Sequence, residues 1–202
     1  MKVLLVDGST SLLRVGVAEG GVLYEEFSFP TRGGSSSALS FLKESSFFLS
    51  IEGLIVGAGP GSHTGVRGSV AWMQAIAFAR SLPLLSLCSL AGFVPQERGA
   101  FSILFDGKLA GLFLLTGQRT DVLHLDTPKV LTSQELFTFL QSKSGSLFTS
   151  REHSLLSFLE RNRKTLPNQW KVQEVDFSLS SFLEASEMSA LSSASDQVSL
   201  YL

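Results

Sequence analysis

Residues 53–80 read GLIVGAGPGSHTGVRGSVAWMQAIAFAR, and the order of their parts decides which fold the chain can adopt. The run from Gly53 to Ala58 is apolar without alternation, which predicts a short strand buried on both faces. A glycine-rich loop follows at 59–69, and a helix is expected from about Gly65 to Arg80. Pro83 then introduces a further strand, LLSLC at 84–88. Strand, loop, helix and strand of these lengths make a βαβ crossover, which pairs its two strands in parallel.

Upstream, KVLLVD (2–7), LLRVGVAEG (12–20) and VLYEEFSF (22–29) are separated by Gly8-Ser9 and Gly20-Gly21, the punctuation of an antiparallel meander. Asp7 falls at the carboxyl end of its first strand. SSSALSFLKESSFFLS (35–50) predicts a helix with Ala38, Leu42, Ser45 and Leu49 on one face and Leu39 and Phe41 beside it. Near residue 100 the pattern restarts, AFSILFDGKLAGLFLLTGQRTDVLHL (100–125) giving three apolar runs separated by Asp106-Gly107 and Gly117-Gln118. The echo of VLLVDGS in SILFDGK predicts two related halves. Farther on, 133–143, 151–162 and 179–193 read as helices, with short strands SLFTS (146–150) and KVQEV (171–175) among them. The expected architecture is α/β in two lobes, 1–99 and 100–202, the last helix returning to the first lobe.

With 202 residues, 44% of them hydrophobic and 17% charged, the chain can bury a substantial core. A formal charge of -2 supplies no basic field for unaided nucleic-acid binding, and RNRK at 161–164 reads as a solvated surface. The start, MKVLLVDGST, has an apolar run too short for a signal peptide. Arg80 and Pro83 interrupt the longest apolar stretch, so no membrane span is expected. The single cysteine, Cys88, fits a reducing compartment and reads as a small buried apolar residue. A cytoplasmic location is therefore expected.

The loop fails each common phosphate or nucleophile pattern. Gly59, Gly61 and Gly65 put Thr64 where a dinucleotide loop needs glycine, and no lysine lies between Lys43 and Lys108 to complete a Walker loop. Ser62 has Pro60 and Thr64 two positions away, where a nucleophile elbow has glycines. Ser62 beside His63 is not a dyad by adjacency. His63, His124 and His153 show no metal-ligand spacing. No catalytic residue and no metal site is expected.

Between Val70 and Ala79 only Gln74 is polar, so this helix asks for cover on all sides. Ala71, Ala75 and Ala79 are expected against the sheet, and Val66, Val70, Met73 and Ala77 outward. Together with Ala38, Leu42, Leu49 and Gln74 these make a predicted partner interface. The alternative is that the chain's own later helices cover both faces.

The paired Asp7-Gly8 and Asp106-Gly107 turns in duplicated halves are similar to the actin-like ATPase (ribonuclease H-like) fold of actin, Hsp70 and the sugar kinases. Of the 18 glycines, 17 lie at or before residue 117, so the glycine turns that a second lobe needs for a nucleotide are missing, and that lobe reads as reduced. Asp7, Ser9 and Thr10 are the residues left for a weak, vestigial hold on a phosphate. GPGSHTGVR (59–67), with LLVDGST (4–10) and LCSL (87–90), resembles the TsaB (YeaZ) family, whose hallmark is GPGSFTGLR. The matching loop residues are Gly59, Pro60, Gly61, Ser62, Thr64, Gly65 and Arg67. FDGKLAGLF (105–113) stands where the family has D-A-R-x-x-E-V-Y, and VSLYL (198–202) resembles its ending. His63 replaces the family's Phe, VRGS (66–69) its L-R-I-G, Lys108 an Arg and Gly111 an acidic residue, and RGGSSS (32–37) stands where the family has His-Ser-Glu. With these departures the chain resembles a divergent, shortened member.

The resemblance implies an inactive homologue required by the related TsaD enzyme. With TsaE and ATP, that machinery installs threonylcarbamoyl on N6 of A37 in tRNAs reading ANN codons. It implies no cofactor for this chain, ATP and metal being used by the partner subunits. It further implies a heterodimer with TsaD through the first-lobe helices, a homodimer in isolation, tRNA contact only through the complex, and no membrane. The competing reading is an enzyme in its own right, a small-molecule kinase or a glycoprotease-like peptidase. A kinase needs a catalytic Asp and a second glycine turn, and a metallopeptidase needs paired ligands. A homodimeric binding module is a third reading.

Overall fold

The structure, a computed structural model, describes residues 1–31, 37, 38, 40, 42, 46–107 and 111–192. Its centre is β1 (Lys2–Asp7), whose apolar run from Val3 to Val6 is buried on both faces. β1 pairs antiparallel with β2 (Leu12–Glu19), and β2 pairs antiparallel with β3 (Val22–Pro30). On its other side β1 pairs in parallel with β4 (Gly53–Gly57), which pairs in parallel with β5 (Leu84–Leu87). The sheet order is β3-β2-β1-β4-β5. Ser37, Ala38, Ser40 and Leu42 are helical, α1 (Ser46–Leu49) follows before β4, and α2 (His63–Arg80) crosses over from β4 to β5.

The second lobe repeats this plan. β6 (Gly99–Asp106) and β7 (Leu112–Arg119) form a hairpin, and β8 (Leu123–Leu125) and β9 (Lys129–Leu131) both pair with β7. α3 (Ser133–Ser142) leads to β10 (Gly145–Thr149), and α4 (Leu155–Arg161) to β11 (Trp170–Glu174). β10 is parallel to both β6 and β11, so β11-β10-β6-β7-β8 restates the first sheet's order. The crossover helices differ in length, α2 having 18 residues where its counterpart α4 has seven. The third apolar run before residue 125 is β8, and beyond it the chain turns and returns to β7 as β9.

Three cores follow from this layering. Leu4, Val6, Leu54 and Val56 meet Met73 and Ile76 of α2, with Ala38 and Leu42 in the same cluster. Leu104, Leu114 and Leu147 meet Leu136, Leu140 and Phe158 beneath α3 and α4. The third core joins the lobes: Val3, Leu5 and Ile55 share a cluster with Phe101, Ile103 and Phe105. α5 (Leu179–Ser192) closes this seam, packing on β3, on β8 and on the 3-10 turn Ser89–Phe93. Gly92 is required there, because a Cβ would lie 2.3 Å from the Phe177 ring. Arg119 adds a bidentate pair to Glu184 of α5 at 2.7 and 2.8 Å.

The orientation of α2 corrects the expectation. Met73 is fully buried against the sheet, and Val66, Val70 and Ala77 are half-buried. Ala71, Ala75 and Ala79 are exposed, the reverse of the predicted arrangement. Long side chains fill the space over a twisted sheet, and alanine leaves less apolar area to hide. Ala38 and Leu42 are buried in the same core, so they too point away from any partner. Of the predicted interface residues, Gln74 and Leu49 are exposed. Leu39, Phe41, Ser45, Lys108, the first five residues of RGGSSS and the VSLYL ending lie outside the described residues.

Candidate functional site

The three residues predicted for a phosphate, Asp7, Ser9 and Thr10, lie together on the β1–β2 turn and are buried. One Asp7 carboxylate oxygen accepts the Ser9 backbone N–H at 2.8 Å and the Ser9 hydroxyl at 2.5 Å. Its other oxygen accepts the Ser89 hydroxyl at 2.6 Å. Burial pushes the Asp7 carboxyl up from its ordinary value, against the lowering effect of the Ser89 and Ser9 hydrogen bonds and the Arg14 charge. The Thr10 hydroxyl donates to the Leu12 carbonyl at 3.1 Å. Both carboxylate oxygens of this turn therefore have partners within the first lobe.

The glycine loop explains itself by what its backbone approaches. The Ser62 N–H donates to the Ser9 carbonyl at 2.6 Å, and a Cβ on Gly65 would lie 2.1 Å from the Gly8 carbonyl oxygen. On the other side the Gly59 N–H donates to the Ser89 hydroxyl at 3.0 Å. Gly57 must lack a side chain, since its Cβ would fall 1.7 Å from an Asp7 carboxylate oxygen. The loop thus locks onto the β1–β2 turn and the Ser89 turn, two segments of its own lobe. Ser62 accepts the Gly65 N–H at 3.3 Å and caps α2. Burial pushes the Cys88 thiol up to about 12, which disfavours the thiolate.

The second lobe's counterpart, Asp106, pairs with Arg161, and its N–H donates to the His153 carbonyl at 3.1 Å. The His153 ring stacks on Phe105 with centroids 5.2 Å apart. Next to it, Glu152 crosses between lobes: its carboxylate accepts the Ser11 N–H at 2.8 Å and the Ser11 hydroxyl at 2.7 Å. The turn after β10 therefore clasps the turn after β1. Among the described residues no group of three or more acidic, histidine or cysteine side chains converges as a metal site would require, and no helix is long and apolar enough to cross a membrane.

The outward side of α2 is the larger feature. Arg67, Gly68, Ala71, Gln74, Ala75 and Phe78 are exposed at helical spacing along one stripe. Gly68, Ala71 and Ala75 give it a shallow floor, over which another helix axis can approach closely. Phe78 at its end is 91% exposed. Arg80 extends the surface by anchoring α1: its guanidinium donates to the carbonyls of Phe48, of Leu49 at 3.0 Å and of Ile51 at 3.4 Å. That fixes Leu49, 82% exposed, beside the end of α2. Ala71, Ala75 and Phe78 were not among the predicted interface residues, and only the uniform apolarity of the helix hinted at them.

Comparison with known proteins agrees with this architecture. A family model described as TsaD, tRNA N6-adenosine threonylcarbamoyltransferase, matches residues 38–127. An uncharacterised protein of Pseudomonas aeruginosa with similarity to the peptidase YEAZ superposes with a TM-score of 0.71 at 18% identity, over 98% of this chain and 99% of that one. YeaZ from Pseudomonas aeruginosa gives a TM-score of 0.68 at 18% identity, over 96% and 95% of the two chains. Among curated proteins none matches the sequence. The fold is the actin-like ATPase (ribonuclease H-like) fold, and the sequence resemblance to YeaZ is met by structural likeness along almost the whole chain.

Proposed function

We propose that this chain is a TsaB-type partner subunit, without catalysis of its own, in the TsaD-containing machinery that installs threonylcarbamoyl on N6 of A37 in tRNAs. The observation that carries the reading is the outward stripe of α2, where Ala71, Ala75 and Phe78 present an uncovered apolar face with Leu49 at its side. A helix of a partner laid along that stripe buries Phe78 and meets no charged residue between Arg67 and Arg80. In this reading the first-lobe turn has become structural: Asp7 is held by Ser9 and Ser89, and the glycine loop sits on Ser9. ATP and metal then belong to the partner subunits, and tRNA meets this chain only within the complex. A second copy of the chain competes for the same stripe when TsaD is absent. Measuring tRNA threonylcarbamoylation by TsaD, TsaE and ATP with and without this chain tests the assignment. Binding of TsaD to the Phe78→Asp variant tests the surface.

A further inference from the structure

A second concave site lies on the other lobe, at the end of the sheet where β6, β10 and β11 begin, far along those strands from the Asp106 turn. It encloses about 490 Å³, within the range of small-molecule pockets. Phe139 and Trp170 form one corner, their ring centroids 5.4 Å apart and the planes inclined by 33°. The indole N–H of Trp170 donates to the Leu140 carbonyl at 2.9 Å, which holds its ring in place. Gln169 fixes the neighbouring backbone by donating to the carbonyls of Leu140 and Gln141 at 3.1 Å and of Lys143 at 2.9 Å.

The polar groups of the cavity point to the ligand's charge. Ser102 is 8% exposed and lines the cavity. Lys129 and Lys143 line the mouth and are exposed. The one carboxylate on the wall, Asp126, accepts the Thr116 hydroxyl. Two lysines and one carboxylate thus line the cavity beside its aromatic corner, which leaves the lining a net positive charge. We propose that this cavity binds a small aromatic anion, a carboxylate or sulfonate on a planar ring system. The ring packs into the Phe139–Trp170 corner and the anionic group lies between Lys129 and Lys143.

The probe is 1-anilinonaphthalene-8-sulfonate, titrated against the full chain while tryptophan emission is followed, Trp72 being the only other tryptophan. The expected result is saturable one-to-one quenching that persists in Trp72→Phe and is lost in Trp170→Phe. Lys129→Glu with Lys143→Glu should weaken binding about tenfold or more with far-UV circular dichroism unchanged. Uncharged 1-anilinonaphthalene should bind the unaltered chain about tenfold more weakly than the sulfonate, which keeps the charge requirement testable if the double variant misfolds. Quenching that does not saturate, that comes from Trp72, or that is as strong with the uncharged probe overturns the proposal. So does unchanged affinity in the folded double variant.

Discussion

The two faces of α2 can be separated by a pair of substitutions. Met73 is fully buried among Leu4, Val6, Leu54 and Val56, so Met73→Ala removes three heavy atoms from a filled core and should cost about 3 kcal/mol of stability. Phe78 is 91% exposed, so Phe78→Asp should change stability by no more than about 0.5 kcal/mol. Their effects on association run the other way. A phenylalanine buries about 150–250 Å² when covered, which at about 25 cal/mol per Å² corresponds to about 4–6 kcal/mol. Side-chain ordering and imperfect cover reduce that to about 3 kcal/mol of affinity, or about a hundredfold in Kd. Urea unfolding followed by tryptophan emission reads the first quantity, and calorimetric titration with the TsaD protein of the same organism reads the second. The reasoning is refuted if Phe78→Asp destabilises the chain as much as Met73→Ala does, or if it binds TsaD with undiminished affinity.

Three further outcomes follow from the first-lobe turn and the clasp between lobes. Gly65→Ala puts a Cβ 2.1 Å from the Gly8 carbonyl oxygen and should cost about 2 kcal/mol or more in urea unfolding; a change under about 0.5 kcal/mol would mean the loop does not pack on the turn as described. Burial raises the Asp7 carboxyl above 3.8, so the folded chain holds that proton more tightly than the unfolded one. This contribution is complete below the unfolded value and is lost as pH rises through the folded one. The unfolding free energy of Asp7→Asn minus that of the unaltered chain should therefore grow as pH rises from 4 to 8, and a flat difference contradicts it. Glu152→Ala removes two hydrogen bonds on an exposed edge and should cost about 1 kcal/mol or less. The Ser11 amide should exchange faster in that variant, and unchanged exchange would show that the clasp does not hold in solution.

Much of the fold was legible because its signals are local. Apolar runs ending in Asp7-Gly8 and Asp106-Gly107 announced the two hairpins, and the strand and loop before α2 announced the parallel crossover. The repetition of VLLVDGS in SILFDGK anticipated two sheets of the same strand order. The buried side of α2 was not legible, since a helix apolar all round has no periodic contrast, and packing volume chose Met73 and Ile76 for the sheet over the alanines. Its exposed stripe escaped for the same reason. The partners of the site are long-range: Ser89 reaches Asp7 across 82 positions and Glu152 reaches Ser11 across 141, and no spacing rule connects them. The composition of the glycine loop does not say what it approaches, because a close backbone approach needs glycine whether the neighbour is a ligand or, as here, the carbonyls of Gly8 and Ser9.

The most direct measurement of the central claim is the rate of threonylcarbamoyl transfer to tRNA in a reconstituted mixture of TsaD, TsaE, the adenylate donor and ATP, with this chain present, absent, or replaced by Phe78→Asp. The account predicts turnover that requires the chain, is lost with the Phe78→Asp protein at concentrations near the wild-type Kd, and returns when that variant is supplied about a hundredfold in excess. Turnover independent of this chain, or full activity with the variant at equal concentration, would contradict it.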